Sequence, residues 1–179
     1  AGILNKRDNK SHQKDLKINN FENIDLVIVN FYPFQQTLRK TNNHNMIIEN
    51  IDIGGPTMVR AAAKNYNDVT IITSPNQYSE LISQLKTYKG STTREFRKKM
   101  SQQAFSETAY YDSVISDYFS KISNIHFPQK KIIHGNLIEK LRYGENPHQV
   151  GAIYSESSNL QIKKIHEFFL FVNLNSQSI

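Results

Sequence analysis

Ile24-Asp25-Leu26-Val27-Ile28-Val29-Asn30 decides the fold class. An aliphatic run of this kind, without polar alternation, reads as a parallel strand buried on both faces. Phe31-Tyr32-Pro33-Phe34 ends it, because Pro33 has no N–H to give a ladder. Downstream, Asp68-Val69-Thr70-Ile71-Ile72-Thr73 repeats the pattern after a stretch of helical composition. Buried strands alternating with helices predict an α/β fold with a parallel sheet.

Punctuation residues mark the helices. Ile51-Asp52-Ile53-Gly54-Gly55-Pro56 reads as a turn. Thr57 to Asn65 reads as a helix, with Pro56 suited to its first position and Ala61-Ala62-Ala63 favouring it. Ser74-Pro75 caps a helix toward Tyr88, which Lys89-Gly90 closes. Thr92 and Glu95 form a capping box for a helical stretch reaching Ile122. Phe96, Met100, Phe105, Tyr111, Ile115, Tyr118 and Ile122 supply its apolar face, and its length predicts a break near Ser106. Residues 5–20 read as a short helix or loop, 41–50 as a loop and short helix, and 123–135 as a linker. Leu141 to Gln149 reads as a polar turn and Ala152-Ile153-Tyr154 as a short strand.

A chain of 179 residues holds one domain, or one and part of another. The absence of cysteine excludes disulfides, thiolate metal sites and a cysteine nucleophile. The longest unbroken apolar run, Phe168 to Val172, is far short of the roughly 20 residues a membrane helix needs. That run is uncharged and aromatic, a composition prone to aggregation. With the edge of the first strand, it predicts poor solubility for the isolated chain. The N-terminus lacks a signal-peptide pattern. The net charge of +6 is spread along the chain, which weighs against a nucleic-acid stripe and suits a small anionic ligand. The six histidines show no paired helical spacing, so no metal site is assigned.

Ligands of open α/β sheets bind beyond the carboxyl ends of the strands. Asn30 to Phe34, Asp52 to Thr57 and Thr73-Ser74 can reach such a crevice. Gly54 and Gly55 let a backbone approach a ligand, and the following helix offers free N–H groups to an anion. A plain tight turn fits the same residues. Arg60 and Lys64 share a helix face, which reads equally as a solvated basic stripe. Tyr32 reads equally as a half-buried strand-end aromatic. Asp52, between two isoleucines, is a carboxylate that needs a partner or a role.

Four segments occur in the order of a known family. They are Asn30-Phe31-Tyr32-Pro33-Phe34, Glu49 through Asn65 with its Ile51-Asp52-Ile53-Gly54-Gly55-Pro56 core, Thr108-Ala109-Tyr110-Tyr111-Asp112, and Leu141-Arg142-Tyr143-Gly144-Glu145-Asn146-Pro147-His148-Gln149. Over residues 1–162 the chain resembles the bifunctional purine biosynthesis family, with IMP cyclohydrolase and AICAR transformylase activities. The resemblance implies that residues 1–122 are part of a methylglyoxal-synthase-like cyclohydrolase domain with a parallel sheet whose N-terminal strands are missing. Residues 123–140 would be a helical linker and 141–179 the start of a second α/β domain, the transformylase. The family pattern is lost after Lys163, and the tail reads as a frameshift. A Thr-Gly-Gly-Thr phosphate loop and a Lys-Thr-Leu-His-Pro motif precede the family's equivalent of Ala1. The transformylase catalytic Lys-His pair follows Ile179.

The implied chemistry closes 5-formamidoimidazole-4-carboxamide ribotide to IMP. Lys64 would be the proton donor and acceptor, with Tyr32 and Asp52 beside it in a desolvated pocket. Val29, Asn30, Asp52 and Ile53 would contact the nucleotide. Arg142 and Tyr143 would hold the AICAR nucleotide, with 10-formyltetrahydrofolate as cosubstrate and no tightly bound cofactor. The resemblance further implies a cytoplasmic homodimer acting on purine nucleotides, with no nucleic-acid or membrane partner. The alternative is an inactive fragment or relic with weak nucleotide binding.

Overall fold

The two apolar runs pair with each other in the computed structural model, which describes residues 2–142, 150–155 and, in backbone only, 168–173. Strand β1 (Leu26–Ile28) lies parallel to β2 (Thr70–Ile72), Leu26 opposite Thr70 and Ile28 opposite Ile72. The ladder continues past the strands: the Thr70 N–H donates to Asp25 O at 2.9 Å and the Val29 N–H to Ile72 O at 2.9 Å. Helix α1 (Lys10–Ile18) precedes β1. Between the strands run α2 (Phe34–Lys40), α3 (His44–Glu49) and α4 (Gly54–Lys64). A 3-10 turn (Pro75–Gln77), α5 (Tyr78–Thr87) and α6 (Arg94–Ile122) follow β2. This α/β arrangement, with its small parallel sheet, is the fold class expected. Residues 1–116 form one compact unit.

Its core is one cluster, in which Val27, Ile71 and Ile72 of the sheet meet Val59, Ala62 and Ala63 of α4 and Phe96, Met100 and Ala104 of α6. The spacing on both helices places these residues on one face. On α6 that face continues through Thr108 and Tyr111, not Phe105, which is exposed. Thr108 fits the core because its hydroxyl donates to Ala104 O at 2.7 Å.

β2 is buried at every residue, but β1 buries only Val27 and leaves Leu26 and Ile28 exposed. The expectation of a first strand buried on both faces is corrected. Val27 faces the core, whereas Leu26 opens onto a cavity it shares with Leu81 and Leu85 of α5. α4 begins earlier than Pro56, at Gly54, which leaves Pro56 in the first turn where an N–H has no intrahelical acceptor. The cap expected at Ser74-Pro75 is present, and Gln77 completes it as a capping box. Gly90, at φ 89°, occupies a left-handed conformation after α5 and donates its N–H to Leu85 O at 2.7 Å.

α6 is a single helix across Ser106. It contains neither glycine nor proline, so the predicted break has no cause. Its side-chain cap is Thr93, whose Oγ1 accepts the Phe96 N–H at 3.1 Å, one residue later than expected. The Thr92 hydroxyl instead meets that of Thr70 at 2.8 Å.

Residues 117–179 form a second unit. Its described part is an antiparallel sheet of β3 (Asn136–Lys140), β4 (Val150–Ser155) and β5 (Phe168–Asn173), in that order. β3 occupies the end of the stretch read as a linker, and its register against β4 shifts between Leu137 and Glu139. Ala152 to Tyr154 falls inside β4, as expected. The apolar run from Phe168 is the strand β5, paired to β4 from Phe168 opposite Ser155. The turn from residue 143 to 149, and most of the tail after Lys163, lie outside the described residues. No described helix is long and apolar enough to cross a membrane.

Candidate functional site at the carboxyl end of β1

β1 delivers the chain into Asn30 and the Phe31-Tyr32-Pro33 loop, and Asn50 to Asp52 leads into α4 beside it. Tyr111 of α6 joins the two. Its hydroxyl accepts the Asp52 N–H at 2.9 Å and donates to Asn50 O at 3.3 Å. Its ring lies 5.0 Å from that of Phe31 and 6.1 Å from that of Phe34. Burial, reinforced by the Asp52 and Asp112 carboxylates, raises the pKa of this phenol, so it keeps its proton and remains a donor at neutral pH.

Asp52 is the second hub. Its Oδ1 accepts the Gly55 N–H at 2.7 Å, and its Oδ2 accepts the Tyr32 N–H at 3.4 Å. The carboxylate therefore has a partner at each oxygen: the first turn of α4 and the loop after β1. A Cβ on Gly55 would stand 2.4 Å from Oδ2, so only glycine admits this carboxylate. Two positions in the first turn of α4 are thereby taken from a bound anion: Asp52 accepts the Gly55 N–H, and Pro56 has none to give.

Asn30 and Tyr32 follow Val29 at this end of the sheet, and Asp52, next to Ile53, accepts the Tyr32 N–H. Tyr32 and Ile53 are 54% and 74% exposed, an open apolar rim beside the polar hub. The Asn30 amide donates to the Tyr78 hydroxyl at 3.1 Å. Thr73 and Ser74 are used internally: both N–H groups donate to Gln77 Oε1, at 2.8 and 3.1 Å.

Lys64 does not join them. It is the exposed last residue of α4, ten positions after Gly54. At a rise of about 1.5 Å per residue it stands roughly 15 Å along the axis from the Asp52 end. The rise separates the backbone of Lys64 from the Asp52 end of α4, and its side chain is exposed. Arg60, on the same helix, lies 5.8 Å over the Phe105 ring. Arg142 is an exposed bend of the second unit, and Tyr143 lies outside the described residues. Among the described residues, no three of His, Asp and Glu gather as metal ligands.

A cavity of about 540 Å³ opens at the opposite end of the sheet, lined by Arg7, Asp25, Asp68, Thr92 and Arg97 among others. It touches none of the predicted site residues. Its Arg97 is committed to structure, donating to the carbonyls of Tyr66, Thr92 and Asn67 at 2.8, 2.6 and 2.8 Å. Sequence reading had missed Tyr111 and Tyr78 as site-building residues. Tyr111 stood inside the Thr108 to Asp112 segment, but nothing local names partners so distant along the chain.

The family model described as AICARFT/IMPCHase bienzyme matches residues 62–174, more than half of the sequence. The chain belongs to this family. The bifunctional purine biosynthesis protein PurH of Rhizobium rhizogenes is 45% identical over 159 residues, covering 89% of this chain and 30% of that protein. PurH of Persephonella marina is 49% identical over 156 residues, covering 86% and 30%. PurH of Thermoanaerobacter sp. is 47% identical over 155 residues, with the same coverage of 86% and 30%. The chain thus spans under a third of the length of these curated relatives. Among solved structures, one titled "Crystal structure of ForH" superposes with a TM-score of 0.57 at 26% identity, covering 66% of this chain and 62% of that one.

Proposed function

We propose that this bienzyme-family chain carries part of an IMP cyclohydrolase domain over residues 1–122, with a methylglyoxal-synthase-like fold. In the same proposal 123–140 connects to the start of an AICAR transformylase domain at 141–179. The reaction joins the carboxamide nitrogen of 5-formamidoimidazole-4-carboxamide ribotide to its formyl carbon and expels water. It needs a donor for the formyl oxygen, an acceptor for the carboxamide proton, and both held in place. Tyr32 offers an exposed phenol and Asp52 a carboxylate fixed at both oxygens, while Val29, Asn30 and Ile53 line the approach for the nucleotide. The observation that supports this reading best is the Asp52 carboxylate spanning the Tyr32 and Gly55 N–H groups at the open end of a parallel sheet.

In the assembled enzyme, a cytoplasmic homodimer with no nucleic-acid or membrane partner, Lys64 is the proton donor and acceptor, with Tyr32 and Asp52 beside it. Arg142 and Tyr143 hold the AICAR nucleotide, and 10-formyltetrahydrofolate is a cosubstrate rather than a resident cofactor. The distance between Lys64 and Asp52 favours a second reading for the isolated chain: it binds purine nucleotide without cyclising it.

Two measurements test this. Calorimetric titration with inosine monophosphate is expected to show saturable binding by the 179-residue chain, and a ring-closure absorbance assay no rate above background. No binding would remove the site, and near-native turnover would remove the second reading. Lys64→Ala is expected to leave stability within about 0.5 kcal/mol and the nucleotide affinity of the isolated chain unchanged, because the side chain is exposed and distant from Asp52. A tenfold weaker affinity would put Lys64 at the ligand within one chain.

A further inference from the structure

Tyr111 lies outside the catalytic set that the resemblance implies, yet it touches both segments of the proposed site. Its ring packs against Phe31 and Phe34, on either side of Tyr32. Its hydroxyl closes a two-bond bridge to the backbone of Asn50 and Asp52. We infer that Tyr111 is a positioning residue for the purine-nucleotide site: from α6 it sets the spacing between the Tyr32 loop and the Asp52 turn.

The inference rests on the nucleotide-site reading and adds the residue that holds it together. The chain of contacts has a direction. α6 is anchored in the core through Phe96, Met100 and Ala104, so Tyr111 projects from a rigid element. Its hydroxyl fixes the Asp52 backbone, the Asp52 carboxylate fixes the Tyr32 and Gly55 N–H groups, and the Tyr111 ring fixes the loop from the other side. Sites held on regular elements by such support are more precise than sites on loops alone. The hydroxyl needs its proton to donate to the Asn50 carbonyl, which agrees with the raised pKa that burial gives it. A tyrosine present only for packing would tolerate phenylalanine. A positioning tyrosine would not, because the Asp52 N–H and the Asn50 carbonyl would each lose a partner.

Tyr111→Phe tests this, since it keeps the ring contacts and removes only the hydroxyl. Amide hydrogen exchange is expected to speed up about tenfold at Asp52, and to a lesser degree at Tyr32 and Gly55, while Thr70 to Ile72 in β2 keep their protection. Affinity for inosine monophosphate is expected to weaken about tenfold, with a single cooperative melt whose midpoint falls by only a few degrees. Unchanged exchange at Asp52 would overturn the bridge whether or not nucleotide binds. Faster exchange with unchanged affinity would overturn the positioning role. Loss of protection throughout β2 would reduce Tyr111 to a packing residue. If the parent chain binds no inosine monophosphate, the site reading fails and the positioning role with it, while the exchange result still judges the bridge itself.

Discussion

Phe34→Ala is expected to lower the melting temperature of the chain by more than about 10 °C. Phe34 opens α2, is 1% exposed, and meets Tyr111 edge-on at 6.1 Å. Removing a buried phenyl ring costs about 3–5 kcal/mol through lost transfer energy and the cavity left behind. Whole domains are stable by only about 5–15 kcal/mol. In a unit of this size each kcal/mol moves the midpoint by several degrees, roughly 4–8 °C for 60–100 residues. The position is sensitive for a second reason: α2 is short and its N-cap, Pro33, makes no side-chain capping bond, so the helix depends on its packed first residue. Circular dichroism melting would show the drop, and Phe34→Leu should recover most of it. A Phe34→Ala midpoint within a few degrees of the parent would mean that the ring is not a core element.

What was legible in the sequence follows from which features are local. The strands at Leu26–Ile28 and Thr70–Ile72 sit inside runs of aliphatic and β-branched residues, which favour a sheet buried on both faces. The cap at Ser74-Pro75 and the close at Gly90 were readable because those residue types are themselves the mechanism. Asp52 could be singled out as needing a partner, since a carboxylate among apolar neighbours is costly alone. Which partner it takes was not legible: it uses the loop after β1 and a glycine of its own helix.

The misreadings are equally physical. An apolar run reports that faces want cover, not that cover is supplied, and Leu26 and Ile28 stay exposed. Asp52 and Lys64 stand close in one motif but at opposite ends of α4, their backbones roughly 15 Å apart along its axis. The α6 face was misjudged because large residues drew attention, while small Ala104 and back-bonded Thr108 make the contact and Phe105 turns outward. Tyr111 bridges to residues some 60 positions away, a pairing that no local pattern encodes.

Gly55→Ala is expected to weaken binding of inosine monophosphate by about 10- to 100-fold while scarcely changing stability. The two effects separate because they have different sources. A methyl group at position 55 would sit 2.4 Å from Asp52 Oδ2, 2.8 Å from Cγ and 2.9 Å from Oδ1, so the carboxylate must swing away. It then gives up both the Gly55 N–H and the Tyr32 N–H. For stability, losing a capping carboxylate costs about 0.5–2 kcal/mol. Alanine in place of glycine returns up to about 1 kcal/mol of helix propensity. The difference is near zero. For the site nothing is returned, because the Tyr32 loop loses its tie to α4. The affinity loss comes from displacing the Asp52 carboxylate and the Tyr32 loop from the ligand, and each loss of about 1.4 kcal/mol of ligand contact is a factor of ten. Gly54→Ala is the matched control: its Cβ would meet nothing within 4 Å, so that variant should gain a little stability and bind as the parent does. Thermal melting with calorimetric titration on the two variants decides the matter. If Gly55→Ala binds as tightly as Gly54→Ala, the carboxylate has rotated away at no cost to the ligand, and Asp52 does not organise the site.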